Sequence, residues 1–185
     1  MANQYYYAVS SLPMLFYDTE KPMTAGEFIE CCETTVTEKD LQILKSAKII
    51  PDNEIPGNTV LEKWNNWEKS LRNELVRMRA GKKGTDPEKY LKSSSLEPGI
   101  IETAREAFNA QSPLEGEVVL NRARWDYLEM LEAGHFFDLG KLIIYYLQLQ
   151  ILHRKAQITR ERGEPAFKEI YSKIMDSADL GGKND

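Results

Sequence analysis

The sequence predicts a mainly α-helical protein: a helical bundle with an ordered aromatic segment at its N-terminus. Two patterns carry that expectation. Apolar residues recur at intervals of three and four, most clearly in Val60, Leu61, Trp64, Trp67, Leu71, Leu75 and Met78, the period that puts side chains on one helix face. Residues able to cap a helix N-terminus (Thr24, Thr37, Asn58, Ser112 and Asp138) stand just before the periodic stretches, where their side-chain oxygens can accept from free backbone N–H groups. Glycine and proline pairs then separate one stretch from the next.

The elements follow in order. Tyr5 to Leu15 is aromatic and apolar, and Pro13 limits regular structure to about Ser11. Its pattern fits a strand face (Tyr5, Tyr7, Val9) or a helix face (Tyr5, Ala8, Val9, Leu12), and its three consecutive tyrosines favour burial. Thr24 with Glu27 forms a capping box for a helix to about Cys32. Thr37 with Asp40 opens a second, weaker one. Asn58 caps a long helix from Thr59 to about Ala80, and Gly81-Lys82-Lys83-Gly84 closes it. Residues 81–99 read as a linker, with one helical turn at Pro87 to Leu91. Ile100 to Ala110 is a short helix, and Ser112-Pro113 opens another to about Ala133. Asp138 starts a helix to about Arg162, closed by Gly163. Glu164-Pro165 starts a last one to about Met175, and 180–185 is a frayed tail. The whole is one helical domain, 1–185, within which the linker can join sub-lobes 1–80 and 100–180.

Composition narrows the function. The 185 residues carry 24 Lys+Arg against 29 Asp+Glu, net −5, with 42% hydrophobic residues. That is ordinary for a globular domain. It lacks the basic excess of a protein that binds nucleic acid by displacing counterions. The most apolar run, Leu142 to Leu152, is too short for a bilayer and holds two glutamines. No membrane insertion is expected, and Met1 to Tyr7 has no signal-peptide pattern. Adjacent Cys31 and Cys32 imply free thiols in a reducing, cytoplasmic setting.

Residues suited to catalysis are sparse. Glu132-Ala133-Gly134-His135 has the spacing of a di-iron carboxylate motif, and a small metalloprotein or enzyme built on it is the alternative reading. Gly134 interrupts that helix, however, and no second copy exists. Gly81-Lys82-Lys83-Gly84-Thr85 has phosphate-loop residue types without the phosphate-loop spacing. Glu30 and Glu33 flank the cysteines and oppose thiolate formation, so burial of the pair on the helix face is the expectation. No catalytic residue, cofactor or metal is therefore assigned.

Charge is uneven. Residues 62–92 hold nine cations against five acids, whereas 18–40 hold seven acids against Lys21 and Lys39. The basic stretch, with Arg72, Arg77, Arg79, Lys82 and Lys83, is the candidate protein interface. The apolar residues of 142–152 run nearly all round their helix, which places it centrally in a bundle.

Two resemblances bear on function. Tyr5-Tyr6-Tyr7-Ala8-Val9-Ser10-Ser11-Leu12-Pro13, with Lys21-Pro22 and Glu27-Phe28-Ile29-Glu30-Cys31-Cys32, resembles the opening of an uncharacterised bacterial domain-of-unknown-function family. Its genes tend to lie in operons for V-type (A-type) ATPases. The likeness extends to Leu142–Arg154 and Gly163-Glu164-Pro165-Ala166-Phe167. More loosely, Tyr145 to Gly163 is similar to part of the all-helical d-type subunit of V-type ATPases, which is about twice as long and couples the central stalk to the rotor ring. These resemblances imply a non-catalytic subunit or assembly factor contacting the central stalk or rotor. Such a protein would be cytoplasmic, and peripheral to the membrane through the complex.

Overall fold

The computed structural model describes residues 4–51 and 58–158. Those residues form seven α-helices and no strand: α1 (Tyr6–Ser11), α2 (Ala25–Glu33), α3 (Glu38–Ser46), α4 (Thr59–Lys83), α5 (Ile100–Asn109), α6 (Pro113–Leu131) and α7 (Leu139–Gln157). A 3-10 turn, Glu88–Tyr90, lies between α4 and α5. The helix expected beyond Glu164 and the tail at 180–185 lie outside the described residues.

Local chemistry sets most helix starts. Thr24 accepts from the backbone N–H of Glu27 at 3.2 Å, while the Glu27 carboxylate accepts from the N–H of Thr24 at 2.7 Å. This reciprocal pair is a capping box. Asn58 takes the N–H groups of both Val60 and Leu61, at 3.0 and 3.2 Å. Ser112 caps α6 ahead of Pro113, and Asp138 caps α7 through the N–H of Lys141.

α7 is the centre of the molecule. Leu142, Ile143, Ile144, Leu147, Leu149 and Ile151 are all without solvent exposure, each worth about 2 kcal/mol in apolar transfer. α2, α3, α4 and α6 pack around it, and α5 lies against α4 and α6. The buried hydrophobic side chains form one cluster from Tyr5 to Leu152. Within it Trp67 stacks on Tyr127 (centroids 4.7 Å apart), and Phe28 stacks on Tyr145 and Tyr146. α5 and α6 approach closely because Gly116 has no side chain: a Cβ there would lie 2.8 Å from the carbonyl oxygen of Ala107.

Four expectations need correction. α4 continues one turn past Ala80, because Gly81 stays helical and the left-handed conformation that ends the helix falls on Gly84 (φ +66°). Part of 81–99 is therefore helix, and much of the rest is tied to α4. Asn73 bonds Lys92 through both ends of its amide (N–H···O 2.6 and 3.0 Å). Asn66 holds Ser95 in the same way and also reaches Glu97. The aromatic opening is a short helix that buries Tyr5 and Ala8 while Tyr6 and Tyr7 stay exposed. Adjacent helix positions face different directions, so Cys32 is buried but Cys31 is exposed.

Candidate functional site

The predicted interface residues Arg72, Arg77, Arg79, Lys82 and Lys83 all sit exposed on the C-terminal half of α4. Arg72, Arg79 and Lys83 are seven and eleven residues apart, so they lie along one stripe of the helix. None of these three makes an ion pair among the described residues. Arg77 pairs with Glu74 on its own helix, and Lys82 stands 5.8 Å over the ring of Phe108. Lys82 and Lys83 also complement the negative end of the α4 dipole. One of the acids counted against this cationic stretch, Glu68, is turned away from it into the core.

Glu132 and His135 are not brought together as an i, i+3 pair. α6 ends at Leu131, and Gly134 (φ +89°) turns the chain before His135. Glu132 pairs with Lys141 instead. The His135 ring lies over Gly140, and its Nδ1 sits 2.6 Å from Asp138 Oδ2. Asp138 Oδ1 meanwhile accepts from the N–H of Lys141. The two residues thus brace the turn between α6 and α7. No group of three potential metal-ligating His, Cys, Asp or Glu side chains occurs among the described residues. His153, on α7, contacts the carbonyl of Met23 through Nε2 at 3.0 Å.

One charged constellation lies outside the sequence-based expectations. Glu68 has no solvent exposure and receives both Nε and Nη2 of Arg124, at 2.9 and 2.8 Å. Arg124 Nη1 also donates to Asn121 Oδ1 at 3.2 Å. Glu117 sits 3.9 Å from Arg124 and pairs with Arg154 at 3.0 Å. Burial works against the Arg124 charge, but Glu68, with help from Glu117, more than offsets it and raises the guanidinium above its ordinary value. This fork-to-fork pair fixes α6 on α4. A sequence signal existed: Glu68 stands between Trp64 and Leu71 inside the apolar stripe, where a solvated acid does not belong.

A groove of about 640 Å³ opens between the N-terminal segment and the α6–α7 turn. Val9, Leu12 and Leu15 form one wall, Ala133 and Phe136 the other. Lys141, Tyr145 and Gln148 follow one another along the face of α7 beneath them. The Tyr145 hydroxyl donates to the carbonyl of Pro13 at 2.9 Å, which anchors the first wall to α7. Burial and then Cys31 push the Tyr145 phenol up to about 12.

Residues 101–178 match the family model described as "Protein of unknown function (DUF2764)". That stretch is similar to an uncharacterised family. It takes in all but the first residue of α5, and all of α6 and α7, hence Leu142–Arg154 and 163–167 of the resemblance noted above. The tyrosine-rich opening and α2 lie outside the match. No curated protein and no solved structure matches the chain. No helix among the described residues is long and apolar enough to cross a membrane.

Proposed function

We propose that this protein is a non-catalytic helical subunit or assembly factor of a V-type ATPase, contacting the central stalk or rotor through the basic face of α4. The ATPase assignment rests on the family resemblance of the sequence. The choice of surface rests on one observation: Arg72, Arg79 and Lys83 form an exposed stripe with no ion-pair partner in the described chain. Such a stripe gives up no ion pair of its own when it meets an acidic partner surface, and it speeds encounter with that surface.

Co-purification of the native ATPase tests both parts. The wild-type chain is expected to come down with the complex. Arg72→Glu with Arg79→Glu should leave the fold intact, because exposed charges change stability little. It should weaken association, and the residual binding should respond less to salt. If the variant associates as wild type does at every salt concentration, the α4 face is not the interface. If the wild-type chain never accompanies the complex, the ATPase reading fails.

A further inference from the structure

Residues 13–23 are built unlike the rest of the fold. They join α1 to α2 without any helix, and no residue between Ala8 and Phe28 is buried. Their one backbone–backbone hydrogen bond among the described residues, from the N–H of Thr19 to the carbonyl of Phe16 at 3.0 Å, is internal to the segment. What fastens the segment to the molecule comes from side chains of α7. Tyr145 donates its hydroxyl proton to the carbonyl of Pro13 at 2.9 Å, and Lys155 donates to the carbonyl of Tyr17 at 2.8 Å. His153 Nε2 meets the carbonyl of Met23 at 3.0 Å.

Tyr17 is the centre of this attachment. Its ring lies 4.1 Å from the Lys155 ammonium and 5.0 Å from the Arg122 guanidinium, and it meets Trp125 edge to face at 5.6 Å. Lys155 also faces the carboxylate of Asp18 at 3.6 Å. Leu15 and Met23 add only partly buried contact with the core. Few buried apolar contacts and few backbone bonds mark a segment that opens well below the free energy of global unfolding. Both ends stay held when it does. Tyr5 is fastened to Asp40 and to the carbonyl of Phe137, and Phe28 stacks on Tyr145 and Tyr146.

We propose that residues 13–23 are a latch across α6 and α7, which opens as one unit while the helices stay folded and which Lys155 closes. Opening frees Arg122 and Lys155 and uncovers Trp125, so the closed latch withholds a cationic and aromatic face of the molecule. The helices lose none of their own backbone bonds in the process, because every anchor is a side chain. Opening is therefore silent in far-ultraviolet circular dichroism. The latch is separate from the α4 stripe and does not depend on the ATPase reading.

The test is chymotrypsin digestion of the full chain at several urea concentrations below the unfolding transition, with each cut located by mass spectrometry. A protease needs several residues extended in its cleft, so cuts after Phe16 and Tyr17 report the population of the open state. Their rate should rise only slightly with urea, because opening exposes little surface. Lys155→Met removes the bond to Tyr17 and the cation over its ring, and should speed both cuts about fivefold. Lys155→Arg keeps a cation there and should stay near the wild-type rate. Cuts whose rate climbs with urea as steeply as global unfolding overturn the latch, since the segment then leaves only with the core. Cutting of Lys155→Met at the wild-type rate overturns the role of Lys155. Should Lys155→Met fail to fold, Tyr145→Phe, which keeps the ring and releases Pro13, takes its place, and an unchanged rate in that variant overturns the latch.

Discussion

At the scale of single residues, the Glu68–Arg124 pair illustrates how burial changes the worth of a charge. Either ion alone in the core would be unsupportable, so removing one should cost far more than removing both. Arg124→Met is expected to destabilise the protein by about 3–5 kcal/mol, measured by denaturant unfolding. Glu68→Leu combined with Arg124→Met should recover most of that loss, since a well-packed apolar pair is often as stable as a buried ion pair. A double variant as unstable as the single one would show that the pair, rather than the avoidance of an orphaned charge, holds α6 to α4. Cys32 makes the complementary case for a neutral group. Burial, and then the neighbouring Cys31, push its thiol from 9.0 up to about 12. Cys31 should therefore react with a maleimide in the native protein and Cys32 only after unfolding. The linkage has a definite sign: the native state favours the protonated thiol, and the same holds for the Tyr145 phenol, raised from 10.0 to about 12. Their contributions are complete below pH 9 and are lost as pH climbs toward 12. Denaturation midpoints should fall across that window, with a shallower slope for Cys32→Ala. An unchanged slope would remove Cys32 from the account.

At the scale of elements, close approach is as specific as capping. Gly116→Ala drives a methyl group into the backbone of α5, where no side chain can swing aside. We expect a loss of about 1–3 kcal/mol in unfolding free energy. Asn58→Ala, which strands two N–H groups at the start of α4, should cost about 1 kcal/mol. Helix starts are the most legible features of the sequence because the capping residue and the groups it satisfies lie within three positions. Thr24, Thr37, Asn58, Ser112 and Asp138 all cap where their spacing places them. The end of α4 is harder to read, since Gly81 and Gly84 are equivalent in their local surroundings. What chooses Gly84 is the pair of bonds its N–H and that of Thr85 make back to the last turn. The candidate sites divide in the same way. The basic stretch is legible in composition along one helix. The Glu68–Arg124 pair joins residues 56 apart, and the groove joins Val9–Phe16 to Glu129–Gln148. Long-range meetings of that kind leave no local spacing to recognise.

At the scale of the whole molecule, the question is whether 81–99 divides the protein into units that unfold separately. The arrangement of α4 argues that it does not. Its N-terminal half, which precedes that stretch, is packed against helices that follow it: Trp67 stacks on Tyr127 of α6, Glu68 holds Arg124, and Trp64 lies 6.3 Å from the same tyrosine ring. Neither Val60–Leu75 nor Leu120–Leu131 can keep its apolar face covered once the other is gone. The stretch itself is fastened to α4 through Asn66 and Asn73. Loss of either side therefore exposes the same surface, the condition for all-or-none behaviour. Urea titrations followed by tryptophan fluorescence and by far-ultraviolet circular dichroism should superimpose as one transition. The tryptophans report the α4–α6 contact, whereas dichroism weights every helix, α2 and α3 included. A dichroism change that begins well before the fluorescence change would mean that an N-terminal unit opens on its own. Asn73→Ala sharpens the comparison. It releases Lys92 and Ser94 from α4, so it should lower the midpoint while keeping the two probes coincident, because the packed aromatic contact rather than the strap couples the halves.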